Sequence, residues 1–113
     1  MVDAMAPVLN PAGVAEILEY GLLGIAMSRY SGAWVALKCV HDTVESTASI
    51  PADAERPRIV LPQDHALPPG GLNIRWPDPP LEQEMRLHQY AVKAAQAFAR
   101  ANRIDRIVID SPN

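Results

Sequence analysis

The stretch Ser28-Arg29-Tyr30-Ser31-Gly32-Ala33-Trp34-Val35-Ala36-Leu37-Lys38-Cys39-Val40 constrains the fold more than any other. A long helical pattern runs into it, and Ser31-Gly32 marks a turn. Trp34 to Val40 follows as an apolar run rich in β-branched and aromatic residues, before the chain empties into the polar segment His41 to Ser49. Apart from Lys38 the run is apolar on both faces, as expected of a parallel strand covered on both sides. Helix, tight turn and buried strand make half of a βαβ unit, which a right-handed crossover would set beside an earlier parallel strand. Few residues precede the helix, so the sheet is expected to begin outside this chain. Ligands of α/β proteins meet the chain at strand ends. The two ends of this run are therefore the places to look for a site.

With 113 residues, one domain is the ceiling, and a part of a larger domain fits equally well. The net charge is −3 and no Lys/Arg run appears, which argues against nucleic acid and against a polybasic membrane patch. The single cysteine excludes an internal disulfide, a CxxC pair and an iron–sulfur ligand set within the chain. Lying in the apolar run, Cys39 reads as a buried, inert thiol, in keeping with a reducing compartment. There is no leader pattern, and no apolar run approaches the roughly 18 residues of a membrane span. A soluble, cytoplasmic protein is expected.

Residues 1 to 9 suit a strand tail or an incoming linker. Asn10-Pro11 is a helix start, with Asn as the cap and Pro at the first helical position. Val14, Ile17, Leu18, Leu22 and Ile25 then recur at helical spacing and predict the buried face. Gly21 and Gly24, one turn apart, predict close packing of another backbone against the helix. Asp42 with Glu45 three residues on suggests a capping box for a short helix. Arg58-Ile59-Val60-Leu61 is a short strand candidate stopped by Pro62.

Between Gln63 and Pro80 proline density forbids continuous helix or central strand. Leu67, Leu72, Ile74 and Trp76 nevertheless make this an ordered, extended arm lying on a surface of this or another domain. Leu81 to Asn102 is the second helix, with Leu81, Met85, His88, Val92, Ala95 and Ala99 along its predicted buried stripe. Ile104 to Asp110 then reads as a strand centred on Ile107-Val108-Ile109.

No Walker loop, GxGxxG or HExxH is present. His41 and Asp42, at the end of the apolar run, are site candidates, and Glu45 is a carboxylate placed after a strand where it can serve as a proton donor. Arg29-Tyr30 at the helix end could hold an anion, though Arg there also suits the helix dipole. Arg75-Trp76 could stack on a partner or pack within the arm. His88 on the predicted stripe reads as a hydrogen-bonded core histidine.

Several segments then carry a resemblance: Asn10-Pro11-Ala12-Gly13-Val14, Ser28-Arg29-Tyr30-Ser31-Gly32 with Trp34, and Thr43-Val44-Glu45-Ser46-Thr47-Ala48. So do Pro68-Pro69-Gly70-Gly71-Leu72-Asn73-Ile74-Arg75-Trp76-Pro77-Asp78, Ala97-Phe98-Ala99-Arg100-Ala101-Asn102 and Arg106-Ile107-Val108-Ile109-Asp110-Ser111-Pro112. In order and over nearly the whole chain, they resemble the indolepyruvate ferredoxin oxidoreductases in their long fused bacterial form. The resemblance implies an enzyme dependent on thiamine diphosphate and Mg²⁺. Such an enzyme oxidatively decarboxylates aryl-pyruvates with coenzyme A and passes electrons through iron–sulfur clusters to ferredoxin. It also implies that the chain is a segment of that enzyme. The Gly-Asp-Gly metal–diphosphate motif and the cysteine cluster are missing, so no cofactor is expected on this chain alone.

The expected fold is α/β, a partial doubly wound parallel sheet from a pyrimidine-binding domain, with two main helices and a proline-rich arm. Residues 1–61 would be the later part of that domain, 62–80 the connector, and 81–113 a helix and strand leading to the next domain. Ser28, Arg29, Tyr30, Ser31, Asp42, Ser46, Arg75 and Trp76 are candidates for contact with substrate or a neighbouring domain, and His41 and Glu45 for catalysis. The expected partners are the remaining domains, or a second copy through exposed apolar faces. The alternative is a standalone, non-catalytic α/β module that binds a small ligand or a partner.

Overall fold

The sequence from Val14 to Ser31 lacks proline and forms an 18-residue helix, α1, in the computed structural model, which describes residues 3–51, 56–73 and 75–111. Residues 52–55 of the proline connector, Ile74 of the arm and the terminal residues 1–2 and 112–113 lie outside the described residues. The helix begins later than Asn10-Pro11 suggests, because Gly13 is the extended N-cap residue. The orphan amide of Ala12 is satisfied by the Glu16 carboxylate at 2.8 Å instead of by an Asn cap. Gly32 ends the helix in the left-handed region (φ 70°), with its N–H donating to the Ser28 carbonyl at 2.9 Å.

The face that α1 buries is not the predicted one. Tyr20, Leu23, Gly24, Met27 and Ser31 turn inward, while Leu18, Leu22 and Ile25 are 59%, 42% and 62% exposed. The helix is apolar on two sides, so period alone does not choose between them. Gly24 does: a Cβ there would stand 3.2 Å from Leu9 Cδ1 and 3.6 Å from Val35 Cγ1, so the missing side chain lets the strands come close. Gly21 faces open space and makes no such contact.

Those strands are β1 (Val8–Leu9) and β2 (Ala36–Leu37), paired in parallel with Val8 opposite Ala36 and Leu9 opposite Leu37. Ala36 N–H donates to the Pro7 carbonyl and Lys38 N–H to the Leu9 carbonyl, at 2.9 and 2.8 Å. The partner strand thus lies within residues 1–9, not outside the chain. The architecture is mixed helix and strand with a two-stranded parallel sheet; a more extensive doubly wound sheet is not seen among the described residues. Because α1 covers only one face of so narrow a sheet, Trp34, Leu37, Cys39 and Val40 are exposed. Cys39 is therefore not the buried thiol expected.

A four-residue helix, α2 (His41–Val44), follows. After the arm comes a long helical rod: α3 (Pro80–Arg86), a π-helical turn (Leu87–Ala91) and α4 (Val92–Ala101), stopped at Asn102. The rod's limits agree with expectation, and so does the later part of its stripe, where Ala95 is buried and Ala99 packs on the core, but Leu81, Met85 and His88 are exposed. The π turn holds an extra residue and breaks the stripe. No residue of α3 is buried, and the core side is Ala91, Ala94, Ala95, Ala97 and Phe98. His88 is accordingly exposed, with Nε2 3.9 Å from Glu84 one turn back, and is not a core histidine.

The core joins α1 to α4. Phe98 is fully buried among Tyr20, Leu23, Met27 and Ala95, with Leu9 and Ile104 closing the ends, and the Tyr30 ring lies against it at 5.9 Å between centroids. Neither of the other two predicted strands forms. Arg58–Leu61 is held instead by one side chain: Asn102 Oδ1 accepts from Val60 N–H, and Asn102 Nδ2 donates to the Val60 carbonyl, both at 2.8 Å. Ile107, Val108 and Ile109 find no strand partner among the described residues and stand 84%, 91% and 83% exposed. Only the root of that segment is fixed, by burial of Ile104 and by Arg106 reaching Glu16 and the Tyr20 hydroxyl.

Two measurements check this account. In urea unfolding, Gly21→Ala is expected to raise stability by up to about 1 kcal/mol through helix propensity. Gly32→Ala is expected to lower it by more than about 1 kcal/mol, because the residue is left-handed and a Cβ there would fall 2.2 Å from the Leu72 carbonyl oxygen. The second concerns Glu16, whose pKa is lowered first by the Ala12 amide and then by the Arg106 guanidinium. A lowered carboxylate value stabilises the fold above the ordinary glutamate range, and that contribution is lost as pH falls through the lowered value. The stability difference between the native chain and Glu16→Gln should therefore be constant at neutral pH, begin to shrink only as pH falls below the ordinary glutamate range of about 4.3, and level off only below the lowered value.

Candidate functional site

The turn that follows α1 is built by its own serines. Ser28 Oγ donates to the Ala33 carbonyl at 2.8 Å, and Ser31 Oγ accepts from Ala33 N–H at 3.2 Å. This side-chain bonding lets the chain reverse at Gly32 without orphaning buried polar groups. The Leu72 carbonyl of the arm occupies the space where Gly32 lacks a side chain, so turn and arm are in close contact.

The arm is shaped by Gly70 and Gly71 at φ 82° and 78°, with Gly71 N–H donating to the Pro68 carbonyl at 3.0 Å. Arg86 ties it to α3. One guanidinium nitrogen donates to the Gly71 carbonyl and the other to Asp78 Oδ2, each at 3.2 Å. Gln83 Nε2 adds a bond to the Asp78 carbonyl at 2.8 Å. The Arg86 and Asp78 side chains are each only 21% exposed, so their pairing is screened less than a surface ion pair.

Turn, arm and rod thereby enclose a cavity of about 240 Å³. Ala33, Leu72, Leu87 and Ala91 supply apolar wall, Trp34 stands beside it 80% exposed, and Asp78, Glu84 and Arg86 bring charge. An apolar hollow with a few convergent polar groups is the usual form of a small-molecule site. Among the described residues no cluster of three or more His, Cys, Asp or Glu is placed to hold a metal ion.

The predicted site residues are distributed unevenly around this geometry. Ser28 and Ser31 shape the turn that borders the cavity. Tyr30 packs into the core, its hydroxyl buried without a hydrogen-bond partner; burial, and then the charge of Asp64, raises its pKa. Arg29 is exposed. Arg75 donates to the Pro69 carbonyl of its own arm at 3.1 Å, and Trp76 is 94% exposed.

His41, Asp42 and Glu45 lie exposed on α2, and neither they nor Ser46 line the cavity. The capping box does not form, because Val40 is the N-cap residue and Glu45 ends the helix. Ser46 Oγ donates to the Thr43 carbonyl at 2.8 Å, closing that turn. Asp78, Glu84, Arg86, Leu72 and Leu87 were not singled out by sequence. Their convergence depends on how the arm folds back, and Gly70-Gly71 is the one local sign of that fold.

Comparison with protein-family models, with curated proteins and with solved structures gives no match to any of them.

Arg86→Leu should loosen the arm without unfolding the core. Hydrogen exchange is expected to accelerate at the amides of Gly71 and Asp78 and to stay unchanged in α1 at Leu23 and Met27. Equal acceleration in both places would show that the arm is not a separately tethered element.

Proposed function

We propose that this chain is a segment of a thiamine diphosphate-dependent 2-oxoacid:ferredoxin oxidoreductase of the indolepyruvate type. In this reading β1, α1 and β2 are the later part of a pyrimidine-binding domain, the arm is a connector, and the rod with its extended tail leads to the next domain. The parent enzyme would act in the cytoplasm on aryl-pyruvates, using coenzyme A and ferredoxin. Support comes from the ordered series of resembling segments. No helix of the described residues is long and apolar enough to cross a membrane.

The observation that carries the reading is apolar surface left uncovered in two places. Leu18, Leu22 and Ile25 line the outer side of α1, and Ile107 to Ile109 project from the tail. Neighbouring domains that cover those residues would remove them from water, at about 25 cal/mol per Å² of apolar area. Exposed apolar side chains grouped in this way suit coverage by a partner.

The described residues do not by themselves make a site for thiamine diphosphate. Glu45, the one carboxylate with a suggestive place in sequence, is exposed at the end of α2 and faces no cavity with a diphosphate-binding donor set. No catalytic step is therefore derived through that cofactor. What this chain's own residues contribute is scaffold: Asn102 holds Val60 just before the connector, Arg86 fixes the connector at Gly71 and Asp78, and α1 presents the surface for the adjoining domain.

A second reading, a standalone module that binds a small ligand, is favoured by a different observation, the cavity beside Trp34. The two readings place function on different residues.

Sedimentation velocity separates them. The segment reading expects concentration-dependent self-association of the isolated chain, reduced in the double variant Leu22→Glu, Ile25→Glu. A single monomeric species at every concentration, unaffected by those substitutions, would count against it.

A further inference from the structure

We infer that the cavity between the turn after α1 and the start of the rod takes a small apolar ligand carrying one positive charge, an ammonium group on a ring-sized body. The inference rests on the second reading, in which this cavity binds a small molecule, and deepens it by naming the ligand's chemistry.

Size sets the first limit. A volume of about 240 Å³ is at the small end for a ligand site, enough for one or two rings and too little for a nucleotide. Chemistry of the wall sets the second. Ala33, Leu72, Leu87 and Ala91 offer hydrocarbon and no hydrogen-bonding side chain, so the body of the ligand must be apolar.

Charge decides the rest. Three ionic side chains border the cavity: Asp78, Glu84 and Arg86. Arg86 is already committed, with one nitrogen on Asp78 and the other on the Gly71 carbonyl. Its pairing with Asp78 offsets both charges, so the guanidinium brings no net positive charge to the lining. Glu84 is the remaining charge. Its nearest cationic neighbour is His88 Nε2 at 3.9 Å, beyond hydrogen-bond reach. The lining thus carries one net negative charge, and an anionic ligand would meet a carboxylate with no uncommitted cation to offset it. A cation meets Glu84 and the exposed indole of Trp34, which also lines the cavity and whose face attracts positive charge within about 6 Å of the ring centroid.

The test uses three probes of one shape. 2-Phenylethylammonium carries the charge, 2-phenylethanol is its neutral counterpart and phenylacetate its anionic one. The chain has two tryptophans, so Trp76→Phe leaves Trp34 as the reporter, and its fluorescence is followed during titration. The amine should saturate, with the alcohol about fivefold weaker and phenylacetate weaker still. Glu84→Gln should weaken the amine about threefold and leave the alcohol unchanged. Leu87→Phe, which crowds the cavity with a ring and adds no second tryptophan, should weaken both.

If amine and alcohol both fail to saturate, the cavity is not a ligand site, and the inference falls together with the second reading. If the alcohol binds as tightly as the amine, or phenylacetate binds best, the cavity stands as a site and the charge assignment is overturned. None of these outcomes bears on self-association through α1, so failure here is distinguishable from failure of the segment reading.

Discussion

The seam between α1 and α4 holds the rest of this structure in place. A two-stranded sheet with one helix on it buries too little apolar surface to offset the entropy of ordering so many residues. The missing burial comes from Phe98, fully enclosed, with Met27, Leu23 and Tyr20 of α1 around it. Burying a side chain of this size is worth about 1.5–3 kcal/mol. Ala95 of α4 matters for a geometric reason: it is buried in this seam, where a short side chain lets the helices approach. Once α4 is seated, the residue that caps its end positions the rest. Asn102 stops the helix through its bond to the Phe98 carbonyl and holds Val60 by both backbone groups. The approach to the connector is thus anchored to the same seam.

Seen this way, the successes and failures of the sequence reading have one cause. The turn at Gly32, the limits of the second helix and the stop at Asn102 are local matters, settled by glycine geometry, proline placement and capping. They are legible in the sequence. Which face of α1 is buried is a tertiary matter. Leu18, Leu22 and Ile25 match the helical period as well as Tyr20, Leu23 and Met27 do, and only the strand packed on Gly24 decides between them. The second helix fails for a related reason. A stripe running through His88 assumes uninterrupted α-helical turns, and the π turn at Leu87–Ala91 displaces it, so His88 meets solvent. Ile107–Ile109 has the composition of a buried strand, but a strand needs an edge to pair with. Without one, β propensity produces no sheet.

The candidate site was half legible. Ser28-Arg29-Tyr30-Ser31 pointed to the right neighbourhood because a turn after a helix must satisfy its own backbone, and here Ser28 and Ser31 do so. The other half comes from far along the chain, where Gly70-Gly71 folds the arm back toward the rod and Arg86 fastens it. Neither Asp78 nor Glu84 bears any local mark of a shared cavity. The α2 carboxylates looked more eloquent in sequence, yet the short helix faces them to solvent and gives their turn only the Ser46 cap.

The cavity and the uncovered apolar surface make different demands on the same small core. Exposed apolar surface adds stability only where something covers it, so the chain as described rests on the α1–α4 seam. A cavity works the other way: it forgoes packing contacts that a filled interior would supply, and its lining holds shape only if tethered from outside. Those tethers are polar here. Gly32 admits the Leu72 carbonyl, Arg86 bridges Gly71 and Asp78, and Gln83 adds a third bond. Each polar group that tethers the arm has part of its hydrogen-bonding capacity taken up by the tether. The guanidinium that might have attracted an anion is the same one that closes the wall, and this dual demand on Arg86 leaves Glu84 to set the sign of what can enter.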